Sequence, residues 1–145
     1  MPHDLSSLDP ALSSAILEQV PVSIILADRE GVIRFWNRAS ESLFGFAAAE
    51  VLGQGLDVII PEHLRKAHWE GYDRSLASGE TKYGGKVMTT RAVHKDGRRL
   101  YVEFSFAMLA DADGRVIGAM AAGRDGTERF LAERERRAAG NALAP

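Results

Sequence analysis

The fold is decided by residues 22–37, VSIILADREGVIRFWN. Residues 22–27 form a short apolar run rich in β-branched side chains, and residues 32–36 form a second run of the same kind. Between them, residues 28–31 have the polar composition and final glycine of a tight turn. Two strands joined by such a turn predict a β-hairpin.

Helices are predicted on both sides of this hairpin. Residues 1–20 carry an apolar stripe at three- and four-residue steps, made of Leu5, Leu8, Leu12 and Ile16. Pro21 ends this helix, and Asn37 is a good N-cap for a short helix after the hairpin. A longer helix is predicted over residues 61–79, with Pro61 in its first turn.

The second half of the chain predicts three more strands. The first covers residues 83–94, the second has the clearest alternation of apolar and polar positions in the chain, and the third covers residues 116–123. The alternating positions of the second strand are Leu100, Val102, Phe104, Phe106 and Met108. A charge-rich, solvated helix is expected over residues 128–137, with residues 138–145 as a frayed tail.

These elements predict an α+β domain with one five-stranded antiparallel sheet and short helices on one face. The domain is expected to span residues 21–125. A flanking helix over residues 1–20 precedes it, and residues 126–145 form a C-terminal helix and tail.

Composition narrows the possible functions. The 145 residues include 18 basic and 20 acidic side chains and no long basic run, so neither nucleic acid nor a membrane surface is an expected partner. No apolar stretch is long enough to span a bilayer and no secretory signal is visible, which predicts a cytoplasmic protein.

The chain contains no cysteine, and this excludes several chemistries. Disulfides, cysteine-ligated zinc, iron–sulfur clusters, thiolate-ligated haem and cysteinyl-flavin photochemistry are all ruled out. A metal would have to be held by histidine, methionine or carboxylate. The chain also lacks a glycine-rich phosphate loop, a nucleophile elbow and a two-histidine zinc helix, so no enzyme activity is expected.

His68 is the most informative residue. At helical spacing it shares the apolar face of residues 61–79 with its neighbours Leu64, Gly71 and Tyr72. An inward imidazole beside small residues could hold a metal over a flat hydrophobic ligand. The alternative, an ordinary half-buried core histidine, stays open.

Six short stretches in a fixed order carry a family resemblance that covers about residues 14–130. They are residues 28–37, 43–46 with 50–53, 60–62, 95–97, 113–118 and 124–129. Together they resemble a PAS sensory domain. The region around His68 is similar to the haem-binding PAS domains of oxygen-sensing histidine kinases and cyclic-di-GMP phosphodiesterases.

This resemblance implies a noncovalent b-type haem with His68 as the proximal iron ligand. The positions that contact haem propionates in the family fall on Arg74 and Lys82, and the distal apolar positions fall on Phe104 and Phe106. Two positions depart from the family. Met88 replaces the kinase-type distal arginine, and Gly71 replaces a tyrosine, with Tyr72 one place later.

Two further site residues follow from the strand after the helix. Met88 is a candidate sixth iron ligand through its thioether, although a methionine that fills a gap in the core is the alternative. Tyr83 could be brought to the site by a β-bulge at Gly84 and Gly85.

The leading hypothesis is a stand-alone sensor of redox state or of a diatomic gas. Because the sequence contains no kinase, cyclase or DNA-binding region, its output is expected to reside in an unidentified partner protein. One alternative is a cofactor-free module that forms a homodimer through the N-terminal apolar stripe. Another is a small apolar metabolite in the same pocket.

Overall fold

The structure is a computed structural model that describes residues 8–82 and 84–143. Within these described residues, five strands, five α-helices and two short 3₁₀ turns follow one another. In order they are α1 (Pro10–Gln19), β1 (Ser23–Asp28), β2 (Ile33–Trp36), α2 (Arg38–Phe44), α3 (Ala48–Val51), 3₁₀ turns Leu56–Ile59 and Glu62–Leu64, α4 (Arg65–Ser78), β3 (Met88–Val93), β4 (Arg99–Ala110), β5 (Val116–Asp125) and α5 (Thr127–Leu143).

The strands form one antiparallel sheet in the order β2-β1-β5-β4-β3. The predicted α+β class and five-stranded sheet are therefore confirmed, as is the hairpin of β1 and β2. Residues opposite one another on paired antiparallel strands point to the same face. Phe104 lies opposite both Met88 and Gly123, and Phe106 lies opposite Ala121, so these side-chain positions all belong to the inner face that the short helices cover.

The end of α1 is joined to the sheet through Asn37, which is fully buried. Its side-chain oxygen accepts hydrogen bonds from the backbone N–H groups of Ile24 at 3.0 Å and Ser40 at 3.1 Å. Its amide nitrogen donates to the carbonyl oxygens of Leu17 and Val22, each at 2.9 Å. The predicted N-cap of α2 is thus confirmed, and the same side chain also fixes where α1 meets β1.

The strand predicted over residues 83–94 begins later than expected, at Met88. Gly84 and Gly85 have φ values of 58° and 82°, which belong to turns and not to strands. Tyr83 lies outside the described residues. The predicted start of the long helix at Pro61 is also wrong, because residues Glu62–Leu64 form a 3₁₀ turn and α4 begins at Arg65.

The two flanking helices also differ from their predicted bounds. The N-terminal helix begins at Pro10, after Asp9, whose carboxylate accepts from the N–H of Ala11 at 3.0 Å. Leu5 belongs to residues 1–7, which are outside the described part. The C-terminal helix continues to Leu143, so the prediction of a frayed tail from residue 138 is wrong. Among the described helices, none is long and apolar enough to cross a membrane.

Candidate functional site

A cavity of about 120 Å³ lies between α4 and the inner face of the sheet. Its lining comes from four of the five strands, from α4 and from the segment that precedes α4. The lining residues are Ile25, Ala27, Leu56, Ile59, Ile60, His68, Tyr72, Thr90, Arg91, Ala92, Phe104, Phe106, Ala119, Met120 and Ala121. Most of these side chains are apolar, so the cavity favours a hydrophobic ligand.

Small side chains on the sheet explain why this space exists. Ala27 lies opposite Ala119, and Ala121 lies opposite Ile25, so β1 and β5 present alanines beneath α4. Ala92 on β3 adds a fourth small position and is itself buried. A larger residue at these places would fill the cavity, because a protein core closes around whatever volume its side chains occupy.

His68 supplies an imidazole on the α4 side of the cavity. Its ring lies 4.7 Å from the ring of Trp69 and 5.9 Å from the ring of Tyr72, measured between centroids. Its Nδ1 atom is buried and has no hydrogen-bond partner among the described residues. Burial lowers the pKa of His68 below its usual 6.5, and the charge of Asp57 opposes this only in part. The folded chain therefore favours a neutral imidazole with a lone pair to offer.

Tyr72 holds α4 against β1. Its hydroxyl donates a hydrogen bond to the backbone oxygen of Asp28. Burial, assisted by the nearby charges of Asp28 and Glu30, raises the pKa of Tyr72 to about 12. The phenol therefore stays protonated at physiological pH and remains a hydrogen-bond donor.

Asp57 connects the 3₁₀ turn to the beginning of α4. The indole N–H of Trp69 donates to its carboxylate at 2.8 Å. The guanidinium of Arg65 donates to the backbone oxygens of Asp57 and Ile60, each at 3.2 Å. These bonds set the position of the first turns of α4 and so the height of His68 above the sheet.

Arg91 is a cavity residue that sequence reasoning missed. One end of its guanidinium, the Nε atom, is buried without a partner within the described part of the chain. The other end reaches outward, with Nη1 3.3 Å from Nε2 of the exposed His63. The strand alternation gave no signal for this, because Arg91 lies opposite Tyr101 and the pattern assigns both to the outer face. Arg91 borders the cavity because β3 is an edge strand, and its guanidinium reaches His63 at that edge.

The structure brings together some of the predicted site residues and leaves others apart. His68, Tyr72, Phe104 and Phe106 line the same cavity. The other described candidates are outside its lining, namely Leu64, Gly71, Arg74, Lys82 and Met88. Arg74 and Lys82 are exposed, and Met88 is half-buried opposite Phe104. Tyr83 lies outside the described residues, and the roles of all these side chains stay predictions.

Comparison with known proteins identifies the fold family. The family model described as PAS fold matches residues 17–130. The oxygen sensor protein DosP of Escherichia coli is 30% identical over 100 residues, which cover 69% of this chain and 12% of that protein. The sensor protein FixL of Bradyrhizobium diazoefficiens is 35% identical over 95 residues, which cover 66% of this chain and 19% of that protein. The chain thus spans less than a fifth of the length of these curated relatives.

Solved structures agree with this assignment at the level of the fold. The PAS domain of a Colwellia psychrerythraea protein superimposes with a TM-score of 0.70 at 21% identity, covering 81% of this chain and 97% of that one. An RNA-binding light-oxygen-voltage receptor superimposes with a TM-score of 0.69 at 22% identity, covering 99% of this chain and 42% of that one. The family match over most of the chain and the five-stranded sheet with its helical cover show that this chain belongs to the PAS family.

Proposed function

We propose that this PAS domain binds a b-type haem noncovalently through His68 and senses redox state or a diatomic gas. The observation that carries the proposal is a buried imidazole nitrogen without a hydrogen-bond partner, on the wall of an apolar cavity. Similarity to DosP, an oxygen sensor protein, and to the sensor protein FixL supports the same class of function.

The donor chemistry of the cavity fits a haem. Neutral imidazole is a common axial ligand of haem iron, and the lowered pKa of His68 keeps its lone pair available. In residues 8–82 and 84–143 no three His, Cys, Asp or Glu side chains come together as a metal-binding group. A metal at His68 would therefore need to bring most of its own ligands, as a porphyrin does.

The cavity must widen to accept a porphyrin. Its 120 Å³ is smaller than the roughly 300–1,000 Å³ of typical ligand pockets. The wall formed by α4 is the one that would have to move, because the strands of the opposite wall are hydrogen-bonded into one sheet. An outward shift of α4 would loosen the packing of Tyr72, Leu76 and Trp69, and contacts with the bound porphyrin would have to replace it.

Three of the lining residues have a defined task in this proposal. Bound haem would supply an iron centre that changes oxidation state or takes a gas ligand. His68 would hold the iron, and Phe104 and Phe106 would exclude water from the sheet side. Met88 lies opposite Phe104 on the inner face and remains the candidate for a sixth iron ligand.

Titration of the purified chain with hemin tests the proposal. We expect a sharp Soret band at a stoichiometry of one haem per chain, and His68→Gly should abolish it. Added imidazole should then restore the band in His68→Gly, because free imidazole can occupy the space of the missing ring and ligate the iron. This rescue distinguishes loss of a ligand from loss of the fold.

His94→Gln is the matched control, since His94 is half-buried but does not line the cavity. It should bind hemin as the wild type does. A wild-type chain that shows no Soret shift with excess hemin, or a His68→Gly chain with an unchanged spectrum, would rule out the proposed haem ligation.

The size of the cavity favours one alternative, a small uncharged ligand. A cavity of about 150 Å³ is enough for benzene, so 120 Å³ suits a molecule of only a few heavy atoms. Such a ligand would hydrogen-bond to His68, whose Nδ1 lacks a partner. Native mass spectrometry of the freshly purified chain, with no hemin added, would detect the bound ligand. The His68→Phe variant should be free of it.

Signal output is proposed to pass through other chains. Helix α1 has no buried residue, and its apolar side chains Leu12 and Ile16 are about half exposed. We propose that this face joins two copies in a homodimer and that a separate, unidentified protein receives the signal. A binding role without catalysis, and a location in the cytoplasm, stay predictions.

A further inference from the structure

The pair formed by Arg91 and His63 has no assigned role in haem ligation. A guanidinium carries five N–H donors and no acceptor, so each buried N–H needs an acceptor from elsewhere. Arg91 Nε is buried without one, and no carboxylate of the described chain lies within ion-pair distance of Arg91. A positive charge that is partly desolvated and not neutralised is costly to keep.

The position of this pair relates it to the cavity. Arg91 belongs to the cavity lining, whereas His63 is exposed and precedes α4. The 3.3 Å contact between Arg91 Nη1 and His63 Nε2 therefore runs from the cavity wall to the protein surface. A ligand with an apolar body would fill the cavity, and an acidic group on it would accept hydrogen bonds from Arg91 at this edge.

We propose that Arg91, with His63 beside it, is a carboxylate-binding site, and that it receives a propionate of the bound haem. The planar fork of a guanidinium matches a carboxylate and can donate two parallel hydrogen bonds to it. The inference rests on the proposed haem function and names the side chain that would hold the acidic edge of the porphyrin.

The site differs from the one that the family resemblance implies. Arg74 and Lys82 are exposed and outside the cavity lining. The guanidinium of Arg74 lies over its own helix, with Nη2 3.8 Å from where a Cβ on Gly71 would be. Arg91, in contrast, already combines a buried donor with a place on the cavity wall.

Comparison of hemin with its dimethyl ester tests the proposal, because the ester keeps the porphyrin and the iron but removes both carboxylates. Affinities are measured from the Soret band for the wild type, Arg91→Met, Arg91→Lys and Arg74→Met. We expect the wild type to prefer hemin by about tenfold or more, as for one charge-assisted pair. Arg91→Met should lose that preference and bind the ester as the wild type does. Arg91→Lys should keep part of it, and Arg74→Met should keep all of it.

The possible failures are distinguishable. If the wild type binds both porphyrins with equal affinity through His68, the haem function stands and the carboxylate site is wrong. Arg91→Met that weakens both porphyrins equally would show a structural role for Arg91 and also overturn the site. If neither porphyrin gives a His68-dependent band in the wild type, the proposed function fails and this inference fails with it.

Discussion

At the scale of single residues, two side chains that line the cavity have polar atoms without a partner in the part of the chain that the structure describes. His68 Nδ1 and Arg91 Nε are both buried and without a hydrogen bond in the described residues, and both atoms belong to residues that line the cavity. Most buried polar atoms in native proteins have a hydrogen-bond partner, so two buried nitrogens without one, in residues of the same cavity, point to a missing ligand. They are the groups that a ligand would satisfy.

The lowered pKa of His68 predicts a pH dependence of stability. The unfolded chain gains a proton on His68 as the pH falls below about 6.5, while the folded chain stays neutral until its lower pKa is reached. The stabilisation present above pH 6.5 is therefore lost as the pH falls towards the folded pKa, with a slope of at most about 1.4 kcal/mol per pH unit.

Urea unfolding at pH 7.5, 6.5 and 5.5 measures this effect. His68→Phe is the matched variant, because it keeps an aromatic ring against Trp69 and Tyr72 but cannot take up a proton. The wild type should lose more stability towards pH 5.5 than His68→Phe does. Parallel pH profiles for the two chains would contradict the prediction.

At the scale of elements, β5 is the central strand of the sheet, because it pairs with β1 on one side and β4 on the other. Gly123 shows how little room is left there. A Cβ at this position would lie 2.3 Å from the backbone oxygen of Glu103 and 2.5 Å from Cδ1 of Phe104. Helix α4 is attached to the sheet by the buried side chains of Tyr72 and Leu76 and by the hydrogen bond from Tyr72 to Asp28.

Gly123→Ala should therefore lower the free energy of unfolding by about 1–3 kcal/mol, the usual cost of overpacking. The matched control is Gly140→Ala in α5, where a Cβ would meet nothing within 4 Å. That change should be neutral or stabilising by up to about 1 kcal/mol, because alanine is the better helix former. Thermal unfolding followed by circular dichroism compares them, and equal melting temperatures would contradict the close approach.

At the scale of the whole molecule, strand β4 links the cavity to the C-terminal helix. Phe104 and Phe106 face the cavity, while the alternate residues Tyr101 and Glu103 face α5. The ring of Tyr101 stacks on Phe130 at 3.9 Å, and Glu103 lies 3.4 Å from Arg129. A ligand that moves β4 would therefore also move the attachment of α5.

The proposed homodimer belongs to this scale. Replacing both Leu12 and Ile16 by glutamate should convert a dimer to a monomer, because charge would be introduced into the apolar face of α1. Light scattering measures the mass, and Leu52→Glu is the control, since Leu52 is an exposed leucine outside α1. A wild-type chain that is monomeric at high concentration would exclude the dimer.

Local patterns in the sequence were sufficient for the architecture. The hairpin of residues 22–37, the alternation from Leu100 to Met108 and the N-cap at Asn37 each depend on neighbours along the chain, and all three are present. The predicted ends of helices and strands were less accurate. The turn at Gly84 and Gly85 shortened β3, and the 3₁₀ turn before Arg65 delayed α4.

The sequence alone also determined that His68 faces inward, because helical spacing places it with the apolar stripe of α4. Only the tertiary structure decided which residues meet it. Arg91 and His63 are separated by 28 residues and meet only because α4 is preceded by a turn that passes the edge strand. The size of the cavity likewise could not be predicted from local sequence patterns, since it depends on small side chains contributed by three different strands.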